Sequence, residues 1–220
     1  GDVTEFDYSR ELGAIFNQCG RTLSDLETFT EADSMLASDH AVVFSDNHDN
    51  QRGHGAGGAC ILDHTDGDAL YNIGNAFMLA YPYGYPKVMS SYYWDDGTPG
   101  ADNNPPPSVN VYEGGAPVNC NDTDWVCEHQ RTPIAGMVGF RAVTQGESVT
   151  DWDTISDNQI AFGRGEAGFI AINREETVLT NYTFQTGMSA GDYCDVFTGA
   201  LLPDGSACTG DVVTVDNAGQ

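Results

Sequence analysis

The chain has 220 residues, 40% of them hydrophobic, and its 33 acidic residues against 8 Lys and Arg give a formal net charge of −25. The apolar content suffices for a packed core and excludes general disorder, while the acidity excludes nucleic acid, whose phosphates require a basic surface. No segment reaches the ~20 consecutive apolar residues of a membrane helix, so we expect no membrane partner. The first residues lack Met and a basic stretch, which suggests a piece of a longer protein.

The first part of the chain predicts alternating strands and helices. Residues 2–6 resemble the end of a strand, and residues 22–39 predict a helix followed by a loop. Residues 8–16 predict a helix, because their apolar side chains recur at helical spacing. These side chains are Tyr8, Leu12, Ile15 and Phe16.

A strand–helix–strand unit follows. The continuous apolar run 41–44 predicts a strand buried on both faces, as in a parallel sheet. Residues 70–80 keep a helical period until Pro82 ends the helix, and residues 87–92 predict the second strand. Such a unit has parallel strands joined by a right-handed crossover.

The remainder changes from mixed to all-β structure. Residues 95–127 are rich in Asp, Gly, Pro and Asn and predict a long loop, and a helix is expected to begin near Pro133. After about residue 144 only strands are predicted, in a separate domain without the closure of a complete sandwich. They cover residues 158–163, 168–173, 177–186, 192–198 and 211–216.

The segment from Phe44 to Gly55 carries the candidate site. Apolar residues give way abruptly to Asn, His, Asp and Arg, as where a buried barrel strand presents functional groups at its carboxyl end. Asp49 is a candidate acid, base or charge stabiliser. His48 and His54 are candidate hydrogen-bonding groups for a polar ligand.

Metal binding explains this segment poorly. Its two histidines are six residues apart and lack the HExxH spacing of a zinc helix, and His48 occupies a position that an EF-hand reserves for an oxygen ligand. The plain structural alternative is a solvated acidic turn, because Asp is abundant throughout this chain.

The cysteines predict two local disulfides. Of the ~15 pairings that six cysteines allow, the economical choice closes two short turn-rich stretches, Cys120 with Cys127 and Cys194 with Cys208. The other two have no assigned partner: Cys19 and Cys60. Disulfides imply an oxidising compartment, so we expect a secreted, extracellular protein.

The charge is scattered and cations are scarce. Seven of the basic residues are Arg, and Lys87 is the only lysine. Such a surface repels itself at low salt and is relieved by screening, which suggests a salt-adapted protein. An ordinary acidic secreted protein is the alternative.

Residues 46–55, DNHDNQRGHG, resemble the last conserved block of the α-amylases, in the chloride-dependent form of animals and some bacteria. Further similarity to that family follows in chain order at residues 3–8, 12–13, 77–84, 88–92, 125–129, 158–165 and 191–196. The resemblance implies an α/β fold, with the last three βα units of a (β/α)8 TIM barrel over 1–143. An all-β Greek-key sandwich domain over 144–220 follows, and both domains are incomplete.

The resemblance also implies a reaction, the retaining endo-hydrolysis of α-1,4 bonds in starch and glycogen. Retention uses a nucleophilic carboxylate and an acid/base carboxylate. In the family these come from strands that precede this chain. Asp49 then corresponds to the third, charge-stabilising carboxylate, His48 to a ligand of the same sugar and His54 to a ligand of a neighbouring sugar. The isolated chain should not hydrolyse starch.

Two ions are implied in the same way. Asn47 and Lys87 correspond to chloride ligands, and a lysine at the start of a buried strand would need such a counter-charge. The third chloride ligand, an arginine, and most ligands of the structural calcium lie upstream in the family, so this chain has no named metal ligand.

Aromatic residues are secondary candidates. Trp94 and Trp125 are candidates for stacking on sugar rings, whereas Trp152 is expected to pack at the junction of the two domains. For the tyrosines at 81, 83 and 85 core packing is favoured over sugar stacking.

Two rival functions remain open. One is a non-catalytic glucan-binding or accessory protein derived from an amylase, and the other is a related barrel glycosidase or transglycosidase. The expected partners are starch, glycogen and malto-oligosaccharides, and the full-length enzyme is expected to be a monomer.

Overall fold

The computed structural model describes residues 1–32, 35–55, 57–93, 108, 110–120 and 123–220. Trp94 and a large part of the predicted loop 95–127 therefore lie outside the described residues. Within them, no helix combines the length and apolar character needed to cross a bilayer.

A small parallel sheet organises the first part of the chain. Its strands are β1 (Val3–Thr4), β2 (Ala41–Val43) and β3 (Tyr85–Pro86), with β2 in the centre. Val3 pairs with Ala41 and Val42 with Tyr85, both in parallel register. The central strand is almost wholly buried, as its apolar sequence predicts.

Helices connect these strands. Between β1 and β2 lie α1 (Phe6–Phe16) and α2 (Phe29–Ala32), between β2 and β3 lies α3 (Asp68–Ala80), and α4 (Thr132–Val143) follows with Pro133 in its first turn. The Glu5 carboxylate caps α1 by accepting the Asp7 N–H at 3.0 Å. The three longer helices, α1, α3 and α4, occur where the apolar period predicts them.

The third strand of this sheet lies elsewhere than predicted. β3 occupies Tyr85–Pro86 rather than residues 87–92. The Lys87 N–H still donates to the Val43 carbonyl at 2.8 Å, but beyond it the backbone pairs elsewhere. The Val126 N–H donates to the Ser91 carbonyl at 2.8 Å, so a distant segment, not β2, sets the path of the chain after Lys87.

A short hairpin and two antiparallel sheets make up the rest. The hairpin consists of β4 (Tyr112–Glu113) and β5 (Ala116–Pro117). One sheet is the meander β6 (Val149–Ser156), β7 (Gln159–Arg164) and β8 (Gly168–Asn173), and the other pairs β9 (Gly191–Cys194) with β10 (Val212–Val215). The predicted strands over 158–163, 168–173, 192–198 and 211–216 are thus present, with shifted ends.

Two predictions in this part were wrong. The polar strand β6 was missed, because its sequence VTDWDTIS has no regular alternation and contains a bulge near Asp151. The segment 177–186 is not a strand. It lies on the sheet through side chains instead, with the Phe184 ring 5.5 Å from the Phe169 ring.

One hydrophobic core joins the helices to the meander. Tyr8, Phe16 and Phe77 are fully buried on the helical side, and Phe162 of β7 is fully buried in the same cluster. Trp152 stacks on Phe162 with a centroid distance of 5.0 Å and meets the Tyr81 ring at 6.5 Å. Trp152 therefore packs where the helices meet the antiparallel sheet, as its position in the sequence predicts.

Three disulfides reinforce this arrangement. Cys120 pairs with Cys127 and Cys194 with Cys208, the two local bonds expected from the sequence. The third bond joins the two cysteines that the sequence left unassigned, with 6.2 Å between the Cα atoms of Cys19 and Cys60. It ties the end of α1 to the segment that follows the candidate site.

Candidate functional site

The site is a turn at the carboxyl end of β2. Phe44, Ser45 and Asp46 remain buried after the strand ends, whereas His48 and Asp49 are exposed and the chain is buried again at Asn50. The side chain of His48 is 70% exposed and that of Asp49 is 64% exposed. The strand thus supports from below a short polar turn that faces solvent.

Reciprocal side-chain bonds fix the shape of the turn. The Asn47 Oδ1 accepts the N–H groups of Asp49 at 2.8 Å and Asn50 at 3.1 Å, and the Asn50 Oδ1 accepts the Asn47 N–H at 2.7 Å. Asn and Asp favour such turns because their short side chains reach nearby backbone groups. The turn is therefore specified locally by its own amides.

The turn brings two of the predicted ligand-binding side chains together and bonds to the third predicted residue, His54, through the backbone. The His48 Nε2 lies 3.4 Å from the Asp49 Oδ1, and the His54 N–H donates to the Asp49 carbonyl at 3.0 Å. Gly53, at φ +76°, supplies the left-handed backbone that returns the chain toward Asp49. The exposed carboxylate of Asp49 and the imidazole of His48 form a surface that can accept and donate hydrogen bonds to a polyhydroxylated ligand.

Arg52 braces the turn and was not predicted. Its Nη1 donates to the His48 carbonyl at 2.7 Å, and its guanidinium lies over the Tyr92 ring at 4.8 Å from the centroid. The sequence contained one signal for this role, because Arg52 is one of only 8 Lys and Arg residues beside 33 acidic residues.

A buried polar cluster lies beneath the turn. Asp46 is 2% exposed, and its Oδ1 accepts the hydroxyls of Ser45 at 2.6 Å and Tyr71 at 3.0 Å. Its Oδ2 accepts the side-chain amide of Gln51, which also donates to the Ser91 Oγ at 2.7 Å. The cluster connects both ends of the turn to α3 and to the chain beyond β3.

A second buried carboxylate completes this cluster. Glu128 is fully buried and accepts the Ser91 N–H through both oxygens, at 3.2 and 2.9 Å. Burial raises the pKa of Asp46 to about 7, and the charge of Glu128 acts in the same direction. The hydrogen bonds that Asp46 accepts oppose this rise without cancelling it.

The structure places Lys87 differently from the sequence prediction. Lys87 is exposed rather than buried, and its Nζ lies 5.2 Å from the centroid of the Tyr85 ring. Lys87 and Asn47 nevertheless follow adjacent parallel strands, β3 and β2, at the same edge of the sheet. The prediction of a buried ammonium group at Lys87 is therefore wrong for this chain.

The described residues offer no cation site of the kind that protein carboxylates and imidazoles build. Among them, no group of three or more His, Cys, Asp or Glu side chains is arranged to hold a metal ion. We therefore derive no chemical step through calcium from the described part of the chain.

Comparison with known proteins agrees with this architecture. Residues 150–220 match the family described as the α-amylase C-terminal all-beta domain. The chain is 44% identical over its whole length to an α-amylase of Oryzias latipes and to a pancreatic α-amylase of Sus scrofa, and it spans 44% of each. It also superposes on α-amylase I of Eisenia fetida with a TM-score of 0.85 and 40% identity, covering 100% of this chain and 46% of that one.

These findings define first a class of protein: one in which parallel strand–helix units lead into an all-β domain and a carboxylate stands at the carboxyl end of a parallel strand. Over its whole length the chain is similar to α-amylases, and it spans less than half the length of the relatives that it matches.

Proposed function

We propose that the chain is part of an α-amylase that hydrolyses internal α-1,4 bonds of starch and glycogen with retention. The observation that carries this proposal is the position of Asp49, exposed on a hydrogen-bonded turn at the carboxyl end of a central parallel strand. The relatives bear the name α-amylase, and a variant of the Eisenia fetida enzyme is described in complex with maltohexaose.

Asp49 acts in this mechanism as a stabilising carboxylate. A retaining glycosidase passes through an oxocarbenium-like transition state, which a fixed negative charge favours more than it favours the neutral substrate. The same charge keeps the pKa of a neighbouring acid raised. The nucleophile and the acid/base residue lie outside this chain. Asp49 therefore acts together with residues from another part of the full-length enzyme.

His48 and His54 hold the glucan. Both flank the Asp49 turn at its exposed surface, and imidazole nitrogens can donate to or accept from sugar hydroxyls. His48 contacts the same sugar as Asp49, since its Nε2 lies 3.4 Å from the Asp49 carboxylate. His54 contacts a neighbouring sugar.

The architecture proposed for the parent protein is a (β/α)8 barrel followed by a Greek-key sandwich. Residues 1–143 supply the last three βα units, supported by the parallel order β1–β2–β3 with helices between the strands. Residues 144–220 supply the sandwich, supported by the family match over 150–220. As the outer strands of the sheet, β1 and β3 each have an edge at which further barrel strands can pair.

Chloride is the proposed activating ion, and Asn47 and Lys87 are its ligands. The side-chain oxygen of Asn47 accepts hydrogen bonds within the turn, so its NH₂ group is the donor that an anion would contact. Lys87 offers a positive charge at the same end of the sheet. The anion would tune the electrostatics of the nearby carboxylates. In the full-length enzyme, which is the product of the complete reading frame, Lys87→Gln should abolish the chloride dependence of hydrolysis. An unchanged dependence of activity on chloride would reject this assignment.

The remaining proposals concern the environment of the protein. Three disulfides support secretion, and the net charge of −25 supports adaptation to salt. The melting temperature of the protein should rise between low and molar NaCl, and a flat response would contradict salt adaptation. The parent is proposed to be a monomer whose calcium ligands lie mainly outside this chain.

The test of the function compares two aspartates at opposite ends of β2. In the product of the complete reading frame, Asp49→Asn should lower kcat on soluble starch by ~10³-fold, a size typical for the loss of a transition-state-stabilising group. Asp39→Asn is the matched control, because Asp39 is 78% exposed and precedes β2. Equal activities of the two variants would refute the role of Asp49, and starch binding without any hydrolysis would favour an accessory protein.

A further inference from the structure

The buried cluster beneath the turn contains a carboxylate to which the proposed reaction assigns no role. Asp46 is 2% exposed and lies three residues before Asp49. A carboxylate in such surroundings is costly unless its lone pairs find donors. Its place beneath an exposed polar turn calls for a physical reason.

The donors to Asp46 come from both sides of the turn. Ser45 precedes it, Gln51 closes the turn five residues later, and Tyr71 belongs to α3. Gln51 joins the two ends, because its amide donates both to the Asp46 Oδ2 and to the Ser91 Oγ. The segment that carries Asp49 is thus closed from below by a carboxylate–amide contact.

The middle of the turn is anchored in a different direction. Asn50 donates through its Nδ2 to the Ser9 Oγ at 3.1 Å, and Ser9 in turn donates to the Ser45 carbonyl at 2.6 Å. These bonds hold the middle of the turn to α1. The Gln51 amide, which also donates to Asp46, holds the end of the turn to the segment after β3 through the Ser91 Oγ.

We propose that Asp46 is a positioning residue, which acts through Gln51 to fix the turn that presents Asp49 to the glucan. The inference depends on the function proposed for Asp49. It adds that the carboxylate of Asp46 never touches substrate, and that its role is to keep a charge of the site in place. A misplacement of ~1 Å at a reacting group can cost ~10²-fold in rate.

The chemistry of the contact provides a specific test. In Asp46→Asn the Oδ1 still accepts from Ser45 and Tyr71, but an NH₂ group then faces the Gln51 NH₂ group. A contact re-forms only if the Gln51 amide turns over, which ends its N–H donation to the Ser91 Oγ. In the swap, Asp46→Asn is combined with Gln51→Glu. The carboxylate introduced at position 51 then accepts from the NH₂ group introduced at position 46 and from the Ser91 hydroxyl. The swap restores the contact with the same net charge and reversed polarity.

The experiment measures kcat and KM on maltohexaose for the product of the complete reading frame. Asp46→Asn should lower kcat by ~10²-fold and change KM by much less, because the Asp49 charge acts mainly on the transition state whereas sugar binding is shared among several groups. The swap should recover kcat to within ~10-fold of the unmodified protein. Asp63→Asn, which changes a buried aspartate at the cap of the 3-10 helix His64–Asp66, should leave kcat within ~2-fold.

A double-mutant cycle separates positioning from general stability. If Asp46 acts through Asp49, adding Asp46→Asn to Asp49→Asn should lower kcat by no more than ~2-fold further. A further loss as large as that in the single variant would overturn the proposal. So would an unchanged kcat in Asp46→Asn while Asp49→Asn is impaired.

Two results remain decisive when a variant is unstable. If Asp46→Asn does not fold at the assay temperature, the swap variant should fold and be active, and its failure to recover either property overturns the proposal. If Asp49→Asn itself retains full activity, the proposed function of the site falls first, and the positioning role falls with it.

Discussion

Helix α3 has a buried polar cluster at each end, and the two clusters are built in opposite ways. Near its first turn, Tyr71 donates to the carboxylate of Asp46. At its last turn, Arg164 of β7 donates to the Ala80 carbonyl and Arg141 of α4 donates to the Tyr81 carbonyl at 2.8 Å. Asp46 is an acid bonded to side chains, whereas the two arginines are cations bonded to backbone.

The arginine cluster is a structural joint. Arg164 is 2% exposed and also donates to the carbonyls of Thr144 at 2.9 Å and Glu147 at 2.8 Å. Helix ends leave carbonyls without intrahelical partners, and cations near a helix carboxyl end are favoured by its dipole. Any sequence with this fold would leave these carbonyls without intrahelical partners, so the two arginines supply hydrogen bonds that the fold itself requires.

The cluster around Asp46 serves a different demand. Asp46 accepts from hydroxyl and amide side chains, which depend on the residue types at those positions, and it supports a turn that faces solvent. The comparison teaches that in this chain the two buried arginines join elements of the fold through backbone carbonyls, whereas Asp46 is held by side chains beneath the exposed turn that carries Asp49.

The largest expected effect lies at the arginine joint. Arg164→Met should lower the free energy of unfolding by about 4 kcal/mol, because several buried carbonyls lose a charged donor at once. Urea unfolding measures this loss. Arg10→Met is the control, since Arg10 is 43% exposed and forms surface ion pairs, which are worth up to about 1 kcal/mol. Equal losses in the two variants would remove the distinction between the clusters.

The carboxylate cluster should make stability depend on pH in a way that the arginine cluster does not. The pKa of Asp46 is about 7 in the folded protein against its usual 3.8, so the folded state keeps a proton that the unfolded state releases. The stabilisation from this proton is complete below pH 3.8, and it is lost as the pH rises through about 7. Urea unfolding at about pH 4 and about pH 8 should show a steeper decline for the unmodified protein than for Asp46→Asn.

The smallest effect comes from two buried tyrosines. Tyr71→Phe removes a donor to Asp46 and should cost about 1.5 kcal/mol, whereas Tyr8→Phe should change stability by less than about 0.5 kcal/mol or raise it. The reason is that the buried Tyr8 hydroxyl has no hydrogen-bond partner in the described part of the structure. Thermal unfolding of both variants compares them, and a larger loss for Tyr8→Phe would contradict the assignment of the Asp46 contacts.

The sequence by itself determined what depends on near neighbours. The apolar period placed α1, α3 and α4, and the abrupt change after Phe44 located the turn with Asp49, His48 and His54. The two local disulfides also followed from proximity along the chain. Each of these features is encoded within a few residues, where backbone geometry and side-chain type decide the outcome.

Only the tertiary structure decided the rest. Tyr71 and Gln51 reach Asp46 and Ser91 across 25 and 40 residues, and no local pattern records such partners. The same reason applies to the chain after β3, where residues 91–93 pair with residues 124–126 and not with β2, and to the exposure of Lys87 itself. A buried group takes its environment from whichever distant segments pack against it, so its burial and its bonds are properties of the folded chain.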